Sequence, residues 1–216
     1  MLTLGLETSE ALGGVALCRD GVLLGEVALE EPLRHAEALL PAVERLLGEC
    51  AVQKTAIELV CVNRGPGSFT GLRIGLATAK GLCQALETPL VGVDGTVVLQ
   101  TRLGVGGSVC VVVPCRLDLV YACWFVPRRR AGPIHVTPRS DLLERISREG
   151  KPLWVVGSAA EPMRQDLELM PWVKVASEGM NRPSAEWVAR LGEEGYTEDE
   201  LYGLEPAYVD GVTAEA

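Results

Sequence analysis

Asn63-Arg64-Gly65-Pro66-Gly67-Ser68-Phe69-Thr70-Gly71-Leu72-Arg73-Ile74-Gly75 is the stretch on which the fold turns. Ahead of it, Ile57 to Val62 is a short apolar run of strand character. Behind it, Phe69 to Leu86 carries a helical pattern. Gly65-Pro66-Gly67 ends the strand with strong loop chemistry. Gly71, Gly75 and Gly81 then fall inside the helix, where each glycine costs roughly 1 kcal/mol relative to alanine. Several together call for a reason, and close approach of another backbone supplies one. A strand, a glycine loop and a helix in succession form the unit of an α/β fold.

The pattern extends in both directions. Leu2 to Leu6 reads as a strand, and Gly14 to Cys18 with Val22 to Leu29 as a hairpin closed by Arg19-Asp20-Gly21. From His35 to Cys50, apolar residues recur every three or four positions, which predicts an amphipathic helix that Pro41 bends or shortens. Pro89 to Val93 is a strand and Gly95 to Leu103 a helix. Gly104-Val105-Gly106-Gly107-Ser108 then has linker composition, which predicts lobes of 1–103 and 104–216. The second half alternates again. Its expected strands are Val109 to Pro114, Val120 to Val126, Ile134 to Val136, Leu153 to Val156 and Val173 to Ala176. Its expected helices lie at Asp141 to Glu149, Pro162 to Leu169 and Ser184 to Leu191, and Arg128-Arg129-Arg130 reads as a basic turn.

Composition narrows the function. The 216 residues are 48% hydrophobic and 23% charged, as in globular domains. The net charge of -9 argues against an autonomous nucleic-acid binder, which needs a basic face. Seven cysteines without any Cys-x-x-Cys spacing suggest reduced, buried thiols and a cytoplasmic setting. Met1 to Gly5 carries no basic n-region, and the apolar runs fall short of the roughly 18 residues of a membrane span, so no membrane partner is expected.

The glycine loop has two chemical readings. Backbone N–H groups at a helix start can hold a phosphate, with Ser68 or Thr70 adding a hydroxyl. Helix starts are far commoner than anion sites, so a purely structural turn stands beside it. A Walker loop is excluded, because Leu72-Arg73 follows Gly71 where Lys-Ser/Thr is required.

These residues resemble the bacterial TsaB (YeaZ) family of the tRNA threonylcarbamoyladenosine pathway. Gly65 to Gly75 is the sharpest match. Leu6-Glu7-Thr8-Ser9, His35-Ala36-Glu37-Ala38-Leu39-Leu40-Pro41, Val91-Gly92-Val93, Arg116 to Tyr121 and Glu205-Pro206-Ala207-Tyr208 extend it over nearly the whole chain. Two positions depart from the pattern: Glu7 replaces an aspartate, and Pro114-Cys115-Arg116 replaces Asp-Ala-Arg. The resemblance implies an α/β fold of two ribonuclease-H-like lobes, of the actin-like ATPase superfamily. It also implies a non-catalytic, glycoprotease-like paralogue of the enzyme TsaD. In TsaD a His-x-x-x-His pair binds metal; the corresponding residues here are Gly95 and Leu99, and the chain has only two histidines, His35 and His135.

The implied function is support of a TsaD-type subunit in threonylcarbamoylation of adenosine 37 of tRNA. A TsaE-type ATPase belongs to the same system, a homodimer is expected when the chain is alone, and tRNA is met only through the complex. The implied partner surface is the helix pair, carried over here as His35, Leu39, Val43, Leu46, Thr70, Leu72, Ile74 and Thr78. No metal and no resident cofactor are expected, with ATP or ADP at a subunit junction left open. The alternative is a small actin-like ATPase or kinase in which Thr8, Ser9, Gly65, Gly67 and Ser68 contact nucleotide. Glu7, Asp94 and Asp118 would be remnants of such a site, and Arg128 to Arg130 either a solvated turn or an RNA contact.

Overall fold

The computed structural model describes residues 1–29, 34–127, 129–196, 203–207 and 209. In the first unit the strands are β1 (Leu2–Glu7), β2 (Gly13–Arg19) and β3 (Val22–Leu29), followed by helix α1 (His35–Glu49), β4 (Leu59–Asn63), α2 (Phe69–Leu86), β5 (Leu90–Val93) and α3 (Gly95–Leu103). The sheet order is β3-β2-β1-β4-β5. β1 to β3 form an antiparallel meander, whereas β4 and β5 run parallel to β1. The β2–β3 turn needs positive φ at both central residues, and Asp20 (51°) and Gly21 (71°) supply it.

The second unit repeats this topology with β6 (Val109–Pro114), β7 (Leu119–Val126), β8 (Arg129–Arg130), β9 (His135–Pro138), α4 (Arg139–Glu149), β10 (Leu153–Val156), α5 (Arg164–Glu168) and β11 (Val173–Val175). Here the order is β11-β10-β6-β7, and β8 and β9 both pair along the outer edge of β7. Each sheet thus has an antiparallel part, three strands in the first and four in the second because β8 and β9 share one edge, and two parallel additions on the other side of its first strand. Two such ribonuclease-H-like sheets in one chain are the fold of the actin-like ATPase superfamily. Arg129 and Arg130 are not a turn: they pair with Val126 and Phe125. Arg128 and Tyr208 lie outside the described residues.

The lobe boundary also differs from the one drawn at the glycine linker. The first unit comprises Met1–Val98 and Pro183–Ala207, and the second contains Leu99–Arg182. The last helix, α6 (Ala185–Glu194), therefore belongs with the first sheet rather than with 104–216. Alternation along the strands explains how. Leu2, Leu4 and Leu6 face a core shared with Leu39, Val43 and Leu46 of α1 and Leu76 and Cys83 of α2. The opposite face is reserved for α6: a Cβ on Gly5 would come within 2.2 Å of the Ala185 carbonyl, and one on Gly192 within 2.2 Å of Cys61 Sγ. Helix α1 continues through Pro41, a position on its exposed side.

Candidate functional site

The ends of β1 and β4 and the start of α2 converge on one buried carboxylate. Glu7 Oε1 accepts from the Ser9 N–H and the Ser9 hydroxyl, both at 2.6 Å, and Oε2 accepts from Asn63 Nδ2 at 2.6 Å. Asn63 Oδ1 in turn accepts the Gly65 N–H at 2.9 Å, so this one amide joins β1 to the glycine loop. The Thr8 hydroxyl donates to the Gly71 carbonyl at 2.8 Å, and the Ser68 N–H to the Ser9 carbonyl at 2.7 Å. Ser68 caps α2 by accepting from the Gly71 N–H at 3.2 Å. Burial pushes the Glu7 carboxyl above its ordinary value, against the pull of the Ser9 and Asn63 hydrogen bonds and nearby His35.

The glycines follow from this closeness. Cβ atoms on Gly67 and Gly71 would lie 2.2 and 2.1 Å from the Ser9 and Thr8 carbonyl oxygens, and one on Gly75 2.2 Å from Thr8 Oγ1. Gly65 adopts φ 111°, a region that favours glycine. Thr8, Ser9, Gly65, Gly67 and Ser68 are therefore brought together. However, the Thr8 and Ser9 hydroxyls and the Gly65, Ser68 and Gly71 N–H groups bond within the cluster rather than pointing into open space. Asp94 is a helix cap for α3, accepting from Thr96 N–H and Oγ1 at 2.8 and 2.6 Å, and Asp118 is an exposed hairpin residue. Among the described residues no three His, Cys, Asp or Glu side chains gather as metal ligands.

The partner-facing residues need correction. His35, Leu39, Val43, Leu46 and Leu72 are buried in their own unit. Leu39, Val43 and Leu46 form the stripe that α1 lays on the sheet, and His35 Nε2 donates to the Glu10 carbonyl at 2.7 Å. Thr70 is exposed, and Ile74 and Thr78 are half-buried. What α1 and α2 do present is Leu40 (48% exposed) with Pro41, and Phe69 (54% exposed) with Arg73 stacked 3.7 Å over its ring. Leu40 was legible as an apolar residue one position off the stripe. Phe69 was legible as the first helical residue, ahead of the stripe. Asn63 gave no signal, because its partner lies 56 positions earlier.

The model of the TsaD family, tRNA N6-adenosine threonylcarbamoyltransferase, matches residues 29–127. The tRNA threonylcarbamoyladenosine biosynthesis protein TsaB of Bacillus subtilis is 27% identical over all of this chain and 97% of its own length. Its namesake from Escherichia coli is 38% identical over 44% of this chain and 40% of its own length. In fold, a Pseudomonas aeruginosa protein described as similar to peptidase YEAZ superposes with a TM-score of 0.77 at 23% identity, covering 97% of this chain and 99% of its own. A glycine loop locked to β1 and two copies of the same sheet topology accompany these likenesses, two of which run the full length: the chain is similar throughout to TsaB of Bacillus subtilis and shares the fold of the YEAZ-like protein.

Proposed function

We propose that this chain is a non-catalytic subunit that binds a TsaD-type enzyme and supports threonylcarbamoylation of adenosine 37 of tRNA. The observation that carries the reading is the state of the glycine-loop cluster. Its hydroxyls and N–H donors hold one another and a buried carboxylate, which suits a rigid support for the start of α2 better than a phosphate cradle. The neighbouring surface suits docking. Helices α1 and α2 pack side by side and leave Leu40, Pro41 and Phe69 in solvent. A TsaD-type subunit would cover them, a second copy of the chain would do so in its absence, and a TsaE-type ATPase would join the resulting complex.

Light scattering on the chain alone and mixed with a TsaD-type protein tests this. The expected result is a homodimer that re-forms as a heterocomplex, and Leu40→Asp with Phe69→Asp should abolish both without changing the thermal midpoint by more than a few degrees. A dimer indifferent to the TsaD-type protein would overturn the reading. So would threonylcarbamoyl transfer to tRNA by the chain alone, or magnesium-dependent ATP binding lost on Ser68→Ala.

A further inference from the structure

The charge of this acidic chain is unevenly placed. Residues 99–182 hold twelve Lys and Arg against eight Asp and Glu, whereas the rest of the chain holds eight against twenty-one. The second unit is thus the basic part of a chain whose total is -9. Part of that charge collects around a concavity of about 270 Å³ lined by Ser108, Trp124, Val126, Glu149, Lys151 and Pro152, among others. Arg145 lies 3.8 Å over the Trp124 ring, and His135 meets the same ring edge-on at 6.1 Å. Arg129 pairs in register with Val126, which places both on one side of the β7–β8 ribbon, and Val126 is 51% exposed. Arg145 is bound to Glu149, and Arg148 to Glu144. Arg129 and Lys151, by contrast, are exposed and have no ion-pair partner among the described residues.

From this we infer that the concavity between β7 and the end of α4 is an RNA contact surface: Arg129 and Lys151 hold backbone phosphates on either side of an aromatic and aliphatic floor made by Trp124 and Val126. Unpaired cations spaced around a floor of exposed Val126 and half-buried Trp124 match a polyanion that also carries stacking groups. An acidic side chain would meet the cations, but only a base plane can also lie on the Arg145 guanidinium that covers the Trp124 ring. The inference rests on the proposed role in tRNA modification, and it adds direct contact by this chain to the contact made through a catalytic partner. The acidic first unit keeps such binding local, since it repels RNA elsewhere.

The test is fluorescence anisotropy with an ANN-decoding tRNA transcript, on the chain alone and on its complex with a TsaD-type subunit. The variant is Arg129→Glu with Lys151→Glu; Arg129→Gln with Lys151→Gln serves if charge reversal impairs folding. Two lost phosphate contacts should weaken binding about tenfold and make the dependence of log K on log salt shallower by about 1.5. A matched reversal on the first unit, Arg19→Glu with Lys54→Glu, should leave it unchanged. Equal tRNA affinity for wild type and variant would overturn the inference. So would equal affinity of the wild type for duplex DNA of the same length, which would reveal an unselective polyanion surface. Complex formation, followed separately by light scattering, reports on the proposed function. Loss of RNA binding with an intact heterocomplex therefore separates the two.

Discussion

Replacing Asn63 by alanine probes the loop cluster most directly, because this one amide serves both the buried carboxylate and the loop. The variant removes the 2.6 Å hydrogen bond to Glu7 Oε2, a charge-assisted bond of about 1.5–3 kcal/mol, and strands the buried Gly65 N–H at a further cost of roughly 1–3 kcal/mol. The expected loss is about 2.5–6 kcal/mol, a large share of the roughly 5–15 kcal/mol available to a folded domain. The loss should also depend on pH. Burial raises the Glu7 carboxyl in the folded chain, and the Asn63 bond is one of the interactions opposing that rise. A raised folded value means that stability is greatest below the ordinary glutamate value and is lost as pH climbs through the folded one. Without Asn63 the folded value climbs further, so the charged carboxylate becomes costlier in the variant. The difference between wild type and variant should thus be larger where the carboxylate is charged than where it is protonated. It should shrink as pH falls through Glu7's raised range, where the proton has been taken up in both. Urea unfolding from pH 4.5 to 8 measures it. A difference that stays constant with pH, or a loss below about 1 kcal/mol, would refute the account of Glu7 as a buried, amide-supported centre.

Other consequences are simpler. Gly71→Ala should cost about 3 kcal/mol or more, since its Cβ meets the Thr8 carbonyl oxygen at 2.1 Å, whereas Gly81→Ala, with open space around it, should gain roughly 0.5–1 kcal/mol; thermal melts of both variants check the contrast. Leu46→Ala should lose about 2–5 kcal/mol by leaving a cavity under α1, while leaving the outer surface at Leu40 untouched, as denaturant unfolding beside light scattering would show. At pH 8 a thiol reagent should label Cys50 and Cys115 first, because Cys18, Cys61, Cys83, Cys110 and Cys123 are buried and burial pushes the Cys18 thiol up to about 11; mass spectrometry before and after adding urea reads the order.

The strands were legible because their apolar runs are uninterrupted: Val109 to Pro114 and Leu59 to Asn63 sit inside sheets where both faces are covered. The stripe of α1 was equally plain. What remained hidden depends on partners distant in sequence. Amphipathicity shows that α6 buries one face, but only the closeness of Gly5 and Gly192 to their neighbours shows that it returns to the first sheet. Arg129 and Arg130 look like a turn until Val126 and Phe125 are placed opposite them. The interface residues were misplaced for a related reason. Spacing marks a helix face as apolar without saying whether a sheet or a partner covers it, and Leu39, Val43 and Leu46 are covered by the chain's own sheet.

Glu7, a departure from the family's aspartate, also gains a physical meaning. Its extra methylene carries the carboxylate far enough to take Ser9 on one oxygen and Asn63 on the other, all at 2.6 Å, at the junction where β1 meets the loop. Glu7→Asp would draw the carboxylate back by about one carbon–carbon bond, ~1.5 Å. It could then keep Ser9 only by releasing Asn63, at a cost of about 1–3 kcal/mol. If the carboxylate is a remnant of nucleotide chemistry, restoring the family residue should instead improve binding of magnesium ATP and leave stability unchanged. If it is the tie that orders the loop beneath α2, Glu7→Asp should lower the unfolding midpoint, bind no more ATP than the parent, and weaken docking of a TsaD-type subunit only as far as α2 loosens. The burial of every hydrogen-bonding group around Glu7 favours the second outcome, because a group that must meet a ligand cannot also be wholly enclosed by the chain that carries it.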